Sequence, residues 1–280
     1  MRRVKLGIAG LAQQEFNALV AWHSKVSLAD PLLVVLFFHG QEPDPQNFAW
    51  TDHRLPDQIA DCGKNAVLIA PTMQLVQNNV VIDYVATRDR IATLVREGLA
   101  AVRQALGQTA DAVWVDQAFN KAGLYPVGCS NGYRGWSAVV NALRSPTSTI
   151  DGPPSVIGHS LFDCLYWSTP LMEGVVHEAP PDNARFSVRS RAILKSAFVT
   201  THFTSTNETL LLQANFLRGM VGHDPSLTLH NQIPGSLGPN EIVMTVLPTP
   251  NHDQTVSRDN GLSHVVAAAD GFDLPASPSV

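Results

Sequence analysis

The sequence predicts an α/β fold, a mostly parallel central sheet with helices on both faces, and three observations predict it. Short apolar runs bounded by glycine, proline or polar residues recur at residues 31–38, 65–71, 123–127, 155–162, 192–203 and 241–247. Continuous runs of this kind mark strands buried on both faces. Segments of helical periodicity alternate with them, which implies parallel pairing with crossover helices. With 280 residues, 45% hydrophobic and 15% charged, the chain is apolar enough to fold and long enough for one large domain.

The elements follow in order. Residues 1–30 are weakly patterned, and Phe16, Leu19, Val20 and Trp22 suggest a short helix or an edge strand covering the sheet. The run at 31–38 ends in His39 and Gly40 and opens into the polar loop 41–47. A short helix is expected over 54–60, stopped by Gly63, and the strand at 65–71 leaves the sheet through Ala70 and Pro71. A loop rich in Gln, Asn and Val fills 72–86. From Arg88 to Leu106 the residues Ile91, Leu94, Val95, Leu99, Val102 and Leu106 form one helical stripe opposite arginines and glutamates, the pattern of a helix packed on a sheet.

Residues 123–127 read as a strand that tolerates Pro126, an unusual occupant of a central strand. Trp136, Val139, Val140 and Leu143 then recur at helical spacing, and Pro146 closes the helix. The run at 155–162 ends in Asp163, and the segment 168–190, with Pro170, Pro180 and Pro181, reads as an excursion or lid. After the strand at 192–203 a helix spans 209–217, a loop rich in Gly, Pro, His and Asn spans 219–240, and the last clear strand, 241–247, runs into residues 248–253. Residues 1–268 are thus expected to form a single domain and 269–280 a flexible tail.

Gly128, Cys129, Ser130, Asn131 and Gly132 form a Gly-x-Ser-x-Gly pentapeptide between a strand and a helix. That is the arrangement of a nucleophile elbow, in which a sharp turn pushes the serine oxygen out of the backbone and glycines remove side chains that would collide. Gly158, His159 and Ser160 imitate its first half, but Phe162 stands where the second glycine belongs, so Ser160 reads as a strand residue. Ser130, His39, Asp163 and His252 all follow strand ends, and in parallel sheets ligand-binding groups collect at the carboxyl ends.

On these residues the chain resembles the α/β-hydrolase family over residues 31–266. The family's order is nucleophile, acid, histidine, and Ser130, Asp163 and His252 match it. The excursion or lid at 168–190 is expected after the sixth strand. The resemblance implies an oxyanion hole built from the backbone N–H of Gly40 or Gln41 with that of Asn131. The family most often takes its acid one strand later, where Glu208 is the alternative to Asp163. Asp163 is favoured because a carboxylate directly after an apolar strand needs a buried hydrogen-bonding role, whereas Glu208 also suits the first turn of a helix. Asp224 ranks third.

The expected activity is that of a serine hydrolase cleaving a carboxylic ester through an acyl-enzyme on Ser130. The alternatives are an amidase or peptidase, an acyltransferase on the same scaffold, and an inactive hydrolase-like binding protein. His39, Trp50, Tyr133, Tyr166 and Trp167, with Phe38 and Trp136, are candidates for the substrate pocket, or else plain core. A net charge of −5 and a pI near 6.0 argue against nucleic acid as a partner and point to a small-molecule ester or amide. The three cysteines, Cys62, Cys129 and Cys164, lack paired or metal-type spacing, so reduced thiols, no metal and no cofactor are expected. No run is long enough to span a membrane and no signal peptide is legible, so a cytoplasmic monomer or homodimer is expected.

Overall fold

The computed structural model describes residues 18–40, 49, 52–72, 75–76, 79–80, 85–143, 154–164, 193–194, 197–204, 208–247, 255–256 and 261–274. The segment 168–190, expected to form an excursion or lid, and the last residues, 275–280, lie outside them.

Eight apolar runs and one short companion build a nine-stranded sheet: β1 (Ala18–Trp22), β2 (Leu33–Phe38), β3 (Ala66–Pro71), β6 (Gly123–Cys129), β7 (Ser155–Val156), β8 (Gly158–Phe162), β9 (Phe198–Thr204), β10 (Thr228–His230) and β11 (Glu241–Leu247). The spatial order is β1-β3-β2-β6-β8-β9-β11-β10, with β7 beside β6. Only β1 runs antiparallel, against β3. The expected parallel α/β sheet is therefore present, and of the undecided N-terminal segment Ala18–Trp22 forms an edge strand.

Side chains alternate between two cores, as the period of a strand requires. Val34, Leu36 and Phe38 of β2 face one core, covered by α2 (Arg88–Ala105), α3 (Ala112–Lys121), α4 (Tyr133–Leu143) and α5 (Glu208–His223). Leu33, Val35 and Phe37 face the other, covered by α1 (Leu55–Asp61) and α6 (Gly261–Ala267). Helix α2 buries the predicted stripe from Ile91 to Val102 and starts at Thr87, whose hydroxyl accepts from the Arg90 N–H at 3.3 Å. Leu106 falls beyond the helix end and is exposed.

Several boundaries differ from the sequence reading. The strand expected over 192–203 begins only at Phe198, because Ile193 and Leu194 form a helical turn whose side chains are fully buried. A short apolar run does not distinguish the two states. The expected strand 155–162 is broken at Ile157, whose N–H donates to the Leu124 carbonyl. Residues 72–86, expected to be a loop, contain the antiparallel pair β4 (Leu75–Val76) and β5 (Asn79–Val80), and 219–240 contains β10. Helix α3 was not foreseen; its buried residues are Val115 and Phe119, with Trp114 and Ala118 partly buried against the same core. Beyond α6 the chain stays on the body, with Phe272 accepting from the Asn65 N–H and Asp273 held by Lys64. This packs the start of the expected tail.

Cys62, Cys129 and Cys164 are buried free thiols. No helix among the described residues is long and apolar enough to cross a membrane.

Burial lowers three histidines from the usual 6.5: His39 to about 4, His159 to about 3 and His202 to about 4. His159 stays neutral beneath α4, where its Nδ1 accepts from Trp136 Nε1 at 3.2 Å. Unfolding exposes these rings to water, so below pH 6.5 the unfolded chain binds protons that the folded chain refuses. Their contribution is complete above pH 6.5 and is lost as pH falls toward 4, by about 1.4 kcal/mol per pH unit for each ring. Urea unfolding should show a clear loss of stability from pH 7 to pH 5; equal stability at both would contradict neutral burial.

Candidate active site

The site begins with a steric constraint at the end of β6. A side chain on Gly132 would place its Cβ 2.0 Å from the Phe38 carbonyl oxygen, so only glycine lets the start of α4 lie against the end of β2. The link between β6 and α4 is a single 3₁₀ turn, Ser130–Gly132. Ser130 enters it with φ of 52°, in the left-handed region that non-glycine residues rarely occupy. This is the strained strand-to-helix turn that exposes a serine oxygen.

Strand register sets the neighbours. Phe38 pairs with Gly128, and Phe162 with Cys129, so Gly40, Ser130 and Asp163 fall in one row just beyond the carboxyl ends of β2, β6 and β8. The row is tight on the β2 side, where a Cβ on Gly40 would lie 3.0 Å from Ser130 Cβ and 3.3 Å from its Oγ. His39 Nδ1 donates to the Gly40 carbonyl at 2.6 Å, and burial keeps this ring neutral despite that bond. Asn131 lies in the 3₁₀ turn, directly after Ser130.

Asp163 is fully buried and also left-handed, with φ of 47°. Its N–H donates to the His202 carbonyl, and its Oδ1 accepts from the Thr204 N–H at 2.7 Å. The carboxylate is therefore held at the end of β9. Only the backbone of Glu208 is described, as the first residue of α5. Asp224 lies at the amino-terminal end of β10 and is spent on the Ser226 N–H and hydroxyl, so the structure does not bring it to this edge.

Ser160 is a buried residue of β8 whose hydroxyl lies 2.8 Å from Tyr125 Oη and 2.6 Å from Thr200 Oγ1. It serves this chain of hydroxyls across the sheet. Tyr133 is half-buried against the α2–α5 core, and Phe38 and Trp136 are core residues. A cavity of about 660 Å³ opens beside His202, Thr245, Leu247, Gly261 and His264. Of the other expected site residues, His252, Gln41, Trp50, Tyr166 and Trp167 lie outside the described residues. Among the described residues no cluster of three metal-ligating side chains occurs.

Sequence reasoning passed over Gln58. Its signal was its place on α1, where Leu55 and Ile59 face the core and Gln58 lies on the same side. A polar residue on the inward face of a short apolar helix is buried only with partners.

The sequence matches no family model and no curated protein. Among solved structures it is similar to a thermophilic esterase of the planctomycete Thermogutta terrifontis with butyrate bound, at 15% identity and TM-score 0.52, over 97% of this chain and 95% of that one. The same enzyme with propionate bound matches at 14% identity and TM-score 0.48, over 92% of this chain and 88% of the other. At this identity the first likeness establishes the fold, that of the α/β-hydrolases.

Gly132→Ala tests the steric core of the site. The added methyl collides with backbone that has no alternative path, so the variant should lose at least about 2 kcal/mol of stability, read by denaturant unfolding. A change below half of that would mean α4 does not need its close approach to β2.

Proposed function

We propose that the chain is a serine hydrolase that cleaves carboxylic esters through an acyl-enzyme on Ser130. The observation that carries this reading is the left-handed Ser130, wedged between Gly40 and the glycine-enforced start of α4. A core serine has no need of such a turn.

In the proposed reaction His252, which follows the last long strand, takes the proton from Ser130 Oγ as the oxygen attacks the ester carbonyl. The resulting oxyanion accepts from the Asn131 N–H and from that of Gly40 or Gln41, donors fixed before the charge develops. Collapse breaks the ester C–O bond, and the alcohol leaves with the proton from His252. Water, activated by the same imidazole, then releases the acid and restores Ser130. Asp163 holds the imidazole in the required tautomer and stabilises its cation. Its bond from Thr204 is compatible with that role, since a carboxylate has roughly four acceptor sites. The similar esterase was solved with butyrate, so a short acyl ester is the first substrate to assay.

A fluorophosphonate probe should label the purified protein at Ser130, located by peptide mapping, and the protein should release p-nitrophenol from its butyrate ester. Ser130→Ala should abolish both while the fold remains. No labelling of folded protein would leave a binding protein on a hydrolase scaffold, and labelling at Ser160 would move the nucleophile.

Asp163→Asn keeps an acceptor for the Thr204 N–H but loses the charge, and should lower kcat by about 10³- to 10⁴-fold. Glu208→Gln should change it little. The reverse ranking would assign the acid to Glu208.

A further inference from the structure

Gln58 makes four hydrogen bonds through one buried amide, and they join three parts of the chain. Its Nε2 donates to the His53 carbonyl at 2.7 Å and to the Val256 carbonyl at 3.1 Å. Its Oε1 accepts from the N–H groups of Leu262 at 2.8 Å and Ser263 at 3.2 Å. Both amide protons and both oxygen lone pairs are used, and two carbonyls on one side with two N–H groups on the other leave only one orientation for the amide. The side chain is 1% exposed.

These partners bracket the proposed catalytic loops. His53 is where the chain that leaves Gly40 approaches α1. Val256 stands four residues after His252 in the sequence, no more than about 14 Å of extended chain. Leu262 and Ser263 lie in the first turn of α6, the helix that follows, and Gln58 Oε1 satisfies N–H groups that a helix start leaves unpaired. Gly261 packs close to the Thr255 and Val256 carbonyls, with a Cβ there lying 3.2 Å from each. Thr255 and Val256 are themselves buried.

We propose that Gln58 is a positioning residue: its amide ties the segment that carries His252 to the segment that leaves the oxyanion loop, so that base and oxyanion donors keep one mutual geometry. The inference rests on the assignment of His252 as the base. Gln58 touches no reacting atom and acts only through the two segments. A glutamine of this kind is more useful than a charged residue, because it supplies donors and acceptors together with no ion to desolvate.

Two variants separate positioning from bulk stability. Gln58→Glu keeps acceptors for the α6 N–H groups and removes both donors; Gln58→Met keeps the volume and removes all four bonds. In each, hydrogen exchange should quicken in peptides covering residues 251–263 and 52–54 and stay unchanged in β2, β6 and β8. Turnover of p-nitrophenyl butyrate, assayed well below the melting temperature, should fall by about 10- to 100-fold in kcat, with KM within about twofold and the Ser130 probe labelling slowed in parallel. Unchanged exchange over 251–256, or kcat equal to the parent's, overturns the proposal. If Gln58→Glu fails to fold, Gln58→Met decides. A parent that turns over no ester would count against the hydrolase reading, while the exchange comparison would still decide whether Gln58 ties the segments together.

Discussion

The close approach between Gly132 and the end of β2 is the constraint from which the rest of the site follows. Because α4 begins against the Phe38 carbonyl, the chain leaving β6 has room for only one turn, and Ser130 takes up the difference in its backbone. A left-handed serine costs of order 1 to 3 kcal/mol. Helix α4 supplies more than that, since Trp136, Val139, Val140 and Leu143 are almost completely buried and each contributes roughly 1.5 to 3 kcal/mol. The strain persists because the helix cannot move away to relieve it without giving up that burial.

The two faces of the sheet divide the labour. On the α2–α5 face the buried side chains are nearly all apolar, with the Trp136 to His159 bond as an exception. The α1 and α6 face buries hydroxyls and an amide: Tyr125, Ser160 and Thr200 link three adjacent strands, and Tyr125 Oη also reaches the Val265 carbonyl of α6 at 3.4 Å. Unmatched, each such group would cost about 1 to 3 kcal/mol. Matched, they add little net stability but admit only one placement of α6. Non-directional packing holds α4, the helix that follows Ser130, whereas directional bonds hold α6.

The parts of this structure legible in the sequence are those fixed by local chemistry. The Gly-x-Ser-x-Gly turn was readable because two missing side chains and one hydroxyl within five residues have few other uses. The run at 31–38 was readable because burial on both faces demands uninterrupted apolar residues, and 241–247 because Ile242, Val243 and Met244 form its buried centre. Helix α3 was not, since it fully buries only Val115 and Phe119, leaves Trp114 and Ala118 partly buried and carries Val113 exposed, which blurs its period. Pro126 did not prevent the reading: it stands inside β6, beside Leu36 of β2, in a strand whose residues are all buried. The role of Gln58 depends on residues about 200 positions away, and no local pattern carries that information. Gly40 falls between these cases, because the sequence placed it at a strand end and only register brought it against Ser130.

The choice between Asp163 and Glu208 turns on what a buried charge requires. Asp163 carries two costs, a left-handed backbone and a polar side chain removed from water. A chain that needed only to end β8 with a positive φ would be served by glycine or asparagine, which accept that conformation without a charge. An imidazolium formed opposite the carboxylate during turnover would use the negative charge that asparagine lacks, so the proposed mechanism accounts for the charge as well as the shape. Glu208, as the first residue of α5, already has a reason to be acidic in the dipole of the helix it begins. Thr204 joins the two possibilities, since it closes β9, holds Asp163 and precedes Glu208 by four residues. The carboxylate held at that junction lies in the same row as Ser130, where the proposed mechanism would use it.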